Sequence, residues 1–317
     1  MTDTQNEVFK TPVNKIRLFE HGAPGSQNLK LTRKYYTEDM PDGRVKHIVQ
    51  NITDPDIVPY IPDGIGNSTD RQRIPAVLII PGGAFRRLVY NFEGEDVAKW
   101  LNSMGIAAFV LECRLPSDEH DNAEDVPLID AMRAMRVIRG RAQEFGIDEA
   151  KIGVMGFSAG GSMAALLSTA YESDVYADYK YKDEYDKLSA RPDFAVCSYP
   201  VISIDDCIEA GKRYMSEEQV LERISDSKAK ILHKYNPDKL VRPDMPPVFI
   251  CETDDDRTTL SENSVGFYMA ARKAGVSAEL HIFRTGGHGY GCGDDFAQTG
   301  EWKVLFTKWI KSIEIIS

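Results

Sequence analysis

The chain has 317 residues, 42% of them hydrophobic, and a net charge of −11. That length and apolar content allow a sizeable core, in one large domain or two small ones, and so acidic a surface repels nucleic acid and anionic membrane as main partners. No apolar run approaches the roughly 18–20 residues that cross a bilayer. Met1 to Lys10 is polar and lacks a hydrophobic leader segment, so the expected location is cytoplasmic; a secreted chain already trimmed of its leader would read the same. The five cysteines, at 113, 197, 207, 251 and 292, are odd in number and scattered. Their spacing suggests neither a disulfide framework nor a zinc site, and Cys113, Cys197 and Cys251 lie in apolar runs expected to bury free thiols.

Residues 1–13 read as a loose arm. Short β-like stretches follow at 14–20 and 44–60, and 61–73 is a turn-rich connection. We take 1–73 as an arm and antiparallel edge strands belonging to the same domain as 74–317. From Ile74 the character changes. Ala76 to Ile80 is a continuous apolar strand, as expected for one covered on both faces, and it ends in Pro81-Gly82-Gly83-Ala84-Phe85. Glu93 to Met104 is amphipathic. Ile106 to Cys113 is the next strand, and 128–145 a long helix with apolar residues three and four apart. Downstream, strands at 194–199, 248–251 and 278–283 alternate with helices at 261–274 and 302–315. This is the spacing of βαβ units, hence an α/β fold with a mostly parallel sheet and helices on both faces. The Tyr-, Asp- and Lys-rich stretch 171–189 reads as solvated, and 202–242 as a polar, helix-forming cap inserted between two strands.

The chemistry centres on Gly156-Phe157-Ser158-Ala159-Gly160. A β-prone run leads in and a helix-forming run leads out, so Ser158 sits on a sharp strand-to-helix elbow with its hydroxyl lifted above the sheet. Gly156 and Gly160 are expected where strand and helix approach too closely for side chains. A serine hydroxyl needs a base, which in this architecture follows the last strand. Of six histidines, His288 fits, in the glycine-rich loop Thr285 to Gly291; His281 lies inside the strand before it. The acid should follow the preceding strand, where Asp254, Asp255 and Asp256 leave the choice open. Acyl transfer builds charge on a carbonyl oxygen, which backbone amides stabilise. Gly83 and Ala84 after the first parallel strand, with Ala159 on the elbow, are the expected donors. Phe85, Arg86 and Arg87 could line the mouth, and Tyr199 and Tyr290, near strand ends, could face substrate. No metal or cofactor is called for.

PGGAF at 81–85, EGEDVAKWLNSMGIAAFVLECRLP at 93–116, KIGVMGFSAGG at 151–161 and SENSVGFYMAARKAGVSAELHIFRTGGHGYG at 261–291 together resemble the α/β-hydrolase superfamily. More narrowly, they resemble bacterial esterases grouped with acetylxylan and feruloyl esterases. The resemblance implies a carboxylic ester hydrolase acting on a small-molecule ester, with short acyl groups on carbohydrate fragments as the implied substrate class. It also implies Asp256 as the acid, counted back from Glu262-Asn263-Ser264; relatives carry Val-Pro where this chain has Thr259-Leu260, which keeps Asp255 as runner-up. Two further readings share the motif: a serine peptidase of the same fold, and a non-catalytic small-molecule binder. Oligomeric state is not legible in the sequence.

Overall fold

The computed structural model describes residues 9, 13–64, 73–213, 215–223, 226–293 and 297–317. Eleven strands lie in these residues. In chain order they are β1 (Ile16–Arg17), β2 (Lys34–Asp39), β3 (Val45–Gln50), β4 (Asp56–Tyr60), β5 (Ile74–Ile80), β6 (Leu88–Val89), β7 (Ala107–Glu112), β8 (Ile147–Phe157), β9 (Ala195–Ser198), β10 (Val248–Thr253) and β11 (Ala278–Phe283). The main sheet runs β1-β4-β7-β5-β8-β9-β10-β11. From β7 to β11 every neighbour is parallel, while β4 joins β7 and β1 joins β4 antiparallel. β2, β3 and β6 form a separate three-stranded antiparallel sheet.

The central strands are buried along their length: β7 and β10 throughout, and β5 from Pro75 onward. A strand can be apolar on both sides only if both faces are covered, and helices supply that cover. In chain order the helices are α1 (Asp96–Ser103), α2 (Val126–Gly140), α3 (Ala142–Phe145), α4 (Ala159–Ala170), α5 (Ile204–Gly211), α6 (Glu217–Arg223), α7 (Asp226–Lys234), α8 (Ser261–Lys273) and α9 (Ala297–Ser312), of which α5 to α7 belong to the insertion. α1 meets α9 through Trp100 and Trp302, whose ring centroids lie 5.0 Å apart edge to face, and α2 packs on α4. One continuous core runs through the sheet and these helices. Among the described residues no helix is long and apolar enough to cross a membrane.

Several expectations change in detail. β2 was not anticipated, because its Lys-Tyr-Tyr-Thr-Glu-Asp run lacks apolar alternation. The helix expected over 128–145 starts earlier and breaks at Arg141 into α2 and α3. The strand before Ser158 reaches back to Ile147. The insertion 202–242 is helical as expected, and α7 packs on the Pro116–Asp118 turn beyond β7. Lys234 and Tyr235 anchor it to Asp125, just before α2. Most of the 1–13 arm and positions 65–72 of the turn-rich connection lie outside the described residues. Cys113, Cys197 and Cys251 are buried free thiols.

Candidate active site

The site lies where parallel strands end. β8 delivers Phe157, the chain turns at Ser158 with φ 53° and ψ −120°, and α4 begins at Ala159. That conformation belongs almost to glycine alone. It is held by Ser158 N–H donating to the Ser198 carbonyl at 2.9 Å and by the Ser158 carbonyl accepting Ser162 N–H at 3.0 Å. The flanking glycines are steric requirements: a Cβ at Gly156 would strike the Gly160 carbonyl, and one at Gly160 the Ile80 carbonyl.

His288 stands in the loop between β11 and α9, with its Nε2 2.8 Å from Ser158 Oγ. Its Nδ1 is 2.6 Å from Asp256 Oδ2. An ionised carboxylate only accepts, so Nδ1 carries the proton and Nε2 is left free to take one from the serine. Asp256 is 1% exposed, and its other oxygen accepts the backbone N–H of Thr258 at 2.7 Å and of Thr259 at 2.9 Å. Burial by itself would raise this carboxyl. The hydrogen bond and charge of His288 and the two amides outweigh it and hold Asp256 below the usual carboxylate range.

The three aspartates divide by position. Asp254 is exposed, and its backbone N–H bonds Phe283. Asp255 faces the histidine loop: its Oδ1 accepts the N–H of Gly286 at 3.0 Å and of Gly287 at 2.8 Å. Asp256 alone of the three meets the imidazole. Thr259, at the departure from Val-Pro, joins this pair: its hydroxyl lies 3.0 Å from Asp256 Oδ2 and 3.1 Å from His288 Nδ1. Glu252 at the end of β10 is fully buried. Burial and the neighbouring Asp256 charge push its carboxyl well up.

Gly83, Ala84 and Phe85 have φ of 137°, 59° and 59°. This tight turn ties its own carbonyls back: Arg86 N–H reaches Gly83 O at 3.2 Å and Val89 N–H reaches Gly82 O at 2.9 Å. The amides of Gly83 and Ala84 donate to no acceptor among the described residues. The Ala159 amide, at the first position of α4, has no partner within its helix. Among the described residues no cluster of three His, Cys, Asp or Glu side chains is spaced to hold a metal ion.

The expected mouth residues separate. Phe85 is buried and lines a small cavity, Arg86 is exposed, and Arg87 is paired with Glu38 at 2.5 Å. Tyr199 and Tyr290 are 0% and 5% exposed; both lie in the interior, because they close the space between the strand ends rather than facing outward. The cavity, of about 10 Å³, is lined by Gly82, Phe85, Leu115, Pro127, Ala159 and Met163, among others.

Sequence reading missed Glu93. It is 5% exposed and sits in a wide turn over Asn91–Glu95 in which Glu95 N–H bonds Tyr90 O, five residues back. Such turns recur at functional sites. A signal was available, since Glu93 falls four and eight residues before the buried Val97 and Leu101 and so shares the apolar face.

A mostly parallel sheet with a serine elbow after its fifth main-sheet strand in chain order, facing histidine and aspartate from later loops, defines the α/β-hydrolase class. The chain belongs to the BD-FAE esterase family, whose profile matches residues 65–270. It is 31% identical over 240 residues to an acetylxylan esterase of Xylanibacter ruminicola, covering 75% of this chain and 45% of that protein. It is likewise 31% identical over 227 residues to endo-1,4-beta-xylanase B of Butyrivibrio fibrisolvens, covering 71% of this chain and 34% of that one. The chain thus spans less than half the length of either relative. Among solved structures, an acetyl ester-xyloside bifunctional hydrolase from Caldicellulosiruptor lactoaceticus matches with TM-score 0.72 and 34% identity, over 96% of this chain and 97% of that one.

Proposed function

We propose that this chain hydrolyses short-acyl carboxylic esters through an acyl-enzyme, and that acetyl groups on xylan-type fragments are its substrate class. The observation that carries the reading is the unbroken relay from Ser158 Oγ to His288 Nε2 at 2.8 Å and from His288 Nδ1 to Asp256 at 2.6 Å. Ser158 attacks the ester carbonyl as His288 takes its proton. Asp256 keeps the imidazole in the required tautomer and stabilises the cation that forms. The Gly83, Ala84 and Ala159 amides hold the developing oxyanion. His288 then protonates the leaving alcohol, and returns as base to activate the water that releases the acid.

A small apolar cavity is the candidate acyl pocket. It lies beside Gly82 and Ala159, is lined by apolar side chains such as Phe85, Leu115 and Met163, and its small size favours short acyl groups. The sugar assignment rests on the kinship to an acetylxylan esterase and an acetyl ester-xyloside hydrolase.

The test is release of p-nitrophenol from acetyl, butyryl and octanoyl esters, followed by acetylated xylo-oligosaccharides, with Ser158→Ala as control. Turnover is expected to be fastest on acetate, to fall with chain length and to vanish in the variant. Unchanged hydrolysis by Ser158→Ala, or cleavage of aminoacyl anilides in preference to every ester, would overturn the reading.

A further inference from the structure

Beside the relay lies a buried chain of four polar groups. Glu93 Oε2 accepts the Gly82 N–H at 2.8 Å. Glu93 Oε1 meets Tyr199 Oη at 3.0 Å, and Tyr199 Oη accepts the Gly291 N–H at 3.1 Å. Gly82 has no room to move within this arrangement. A Cβ there would lie 2.6 Å from Glu93 Oε2 and 2.9 Å from Ser158 Cβ, so its backbone is held between the carboxyl and the nucleophile. Tyr199 reaches the remaining parts of the site. Its ring meets that of His288 edge to face at 5.0 Å, and its carbonyl accepts the Thr259 hydroxyl at 3.2 Å.

The proton count of this chain is fixed. Both ends are backbone N–H groups, which can only donate. With Glu93 ionised, each N–H finds a lone pair and the Tyr199 hydroxyl has one acceptor, Oε1. A second proton between Glu93 and Tyr199 would face either another proton or the Gly82 N–H. We infer that Glu93, acting through Tyr199, is a positioning residue for ester cleavage: by occupying the Gly82 amide it aims the next two amides, Gly83 and Ala84, at the carbonyl oxygen, and it fixes the loop that carries His288. This rests on the esterase reading above.

Two observations support it. Tyr199 keeps φ at +38° although fully buried, a strained conformation that persists only where surrounding contacts over-determine it. Burial leaves the Glu93 carboxyl raised, and a charged His288 is the strongest influence acting to lower it. That interaction is mutual, so an ionised Glu93 favours the imidazolium formed on attack.

The test is a cycle of Glu93→Gln, Tyr199→Phe and the double variant in the full chain. Turnover of p-nitrophenyl acetate is normalised to sites counted by end-point fluorophosphonate labelling. Glutamine has one acceptor where two donors need one each, so kcat per labelled site is expected to fall roughly 10²-fold, the scale of losing one oxyanion donor, with KM changed less than about threefold. The double variant should lose no more than the more damaged single one, because both break the same chain. Should Glu93→Gln fail to fold, Tyr199→Phe, which removes only a hydroxyl, carries the same readout. If kcat per labelled site stays within about threefold of the parent in the folded variants, the inference fails, and Ser158→Ala, inactive in the same assay, leaves the esterase reading standing. If Ser158→Ala retains turnover, the reading itself fails and this inference with it.

Discussion

The three consecutive aspartates show how much a single position decides. In the proposed mechanism Asp256 sets the imidazole tautomer, so Asp256→Asn leaves the shape and loses the orientation. We expect kcat to drop by about 10⁴-fold. Asp255 only braces the Gly286–Gly287 turn, so Asp255→Asn, which keeps one acceptor oxygen, should cost less than about tenfold in the same assay. Asp256 is also held below its ordinary range in the folded state. Its contribution to stability is therefore present above the unfolded carboxylate pKa and lost as pH falls through the depressed folded value. Melting temperature against pH should show a shallower acid limb for Asp256→Asn than for the parent. Acyl selection belongs to this scale too. Met163→Ala or Leu115→Ala removes a wall of the small cavity, and the ratio of butyrate to acetate turnover is expected to rise by about tenfold, the worth of a methylene or two in an apolar pocket.

Among the elements, the β4–β7 pair carries an arrangement that would be unstable alone. Asp56 and Glu112 are direct cross-strand partners, and like charges so placed repel. Arg33 resolves it, with Nη1 2.6 Å from Asp56 Oδ2 and 2.6 Å from Glu112 Oε2, and Lys15 adds a contact to Glu112 at 2.6 Å. Burial, with the Glu112 charge, pushes Asp56 up to about 6. Arg33→Met leaves two buried carboxylates with Lys15 as their remaining cation and the Tyr35 hydroxyl on Glu112, and should cost about 3 kcal/mol in urea unfolding at pH 8. Because Arg33 lowers the Asp56 value, the variant takes up this proton at higher pH than the parent, so the deficit should shrink as pH falls toward about 6 and level off below it. This cluster ties the segment before β2 to the main sheet. It was invisible to periodicity, since its members lie far apart in the chain and only the register brings them together.

Across the whole molecule, what the sequence carried was what local rules encode. The strands β5, β7, β9, β10 and β11 follow from apolar runs, and the elbow from the close approach that Gly156 and Gly160 permit. His288 follows from the order of strands. What stayed hidden depends on assembly. Tyr199 was legible as an aromatic near a strand end, but its inward turn depends on the Cys251 and Thr259 contacts that fold it back. Glu93 was legible only as part of an amphipathic stretch, because its partners, Gly82 and Tyr199, lie 11 and 106 residues away. The choice among three aspartates needed the loop geometry itself.

The conformation of Ser158 has a consequence for the history of such a chain. Its backbone sits at φ 53°, ψ −120°, where a side chain is strained by about 1–3 kcal/mol. Glycine relieves that strain and gives back only about 0.5–1 kcal/mol through its freer unfolded chain. Ser158→Gly should therefore unfold at higher urea concentration than the parent, by roughly 1 kcal/mol, while turning nothing over. The most direct mutational path to an inert protein then leads towards a firmer fold. Lineages carrying this elbow keep their serine only while turnover is selected, and once that pressure lifts, stability itself favours its loss.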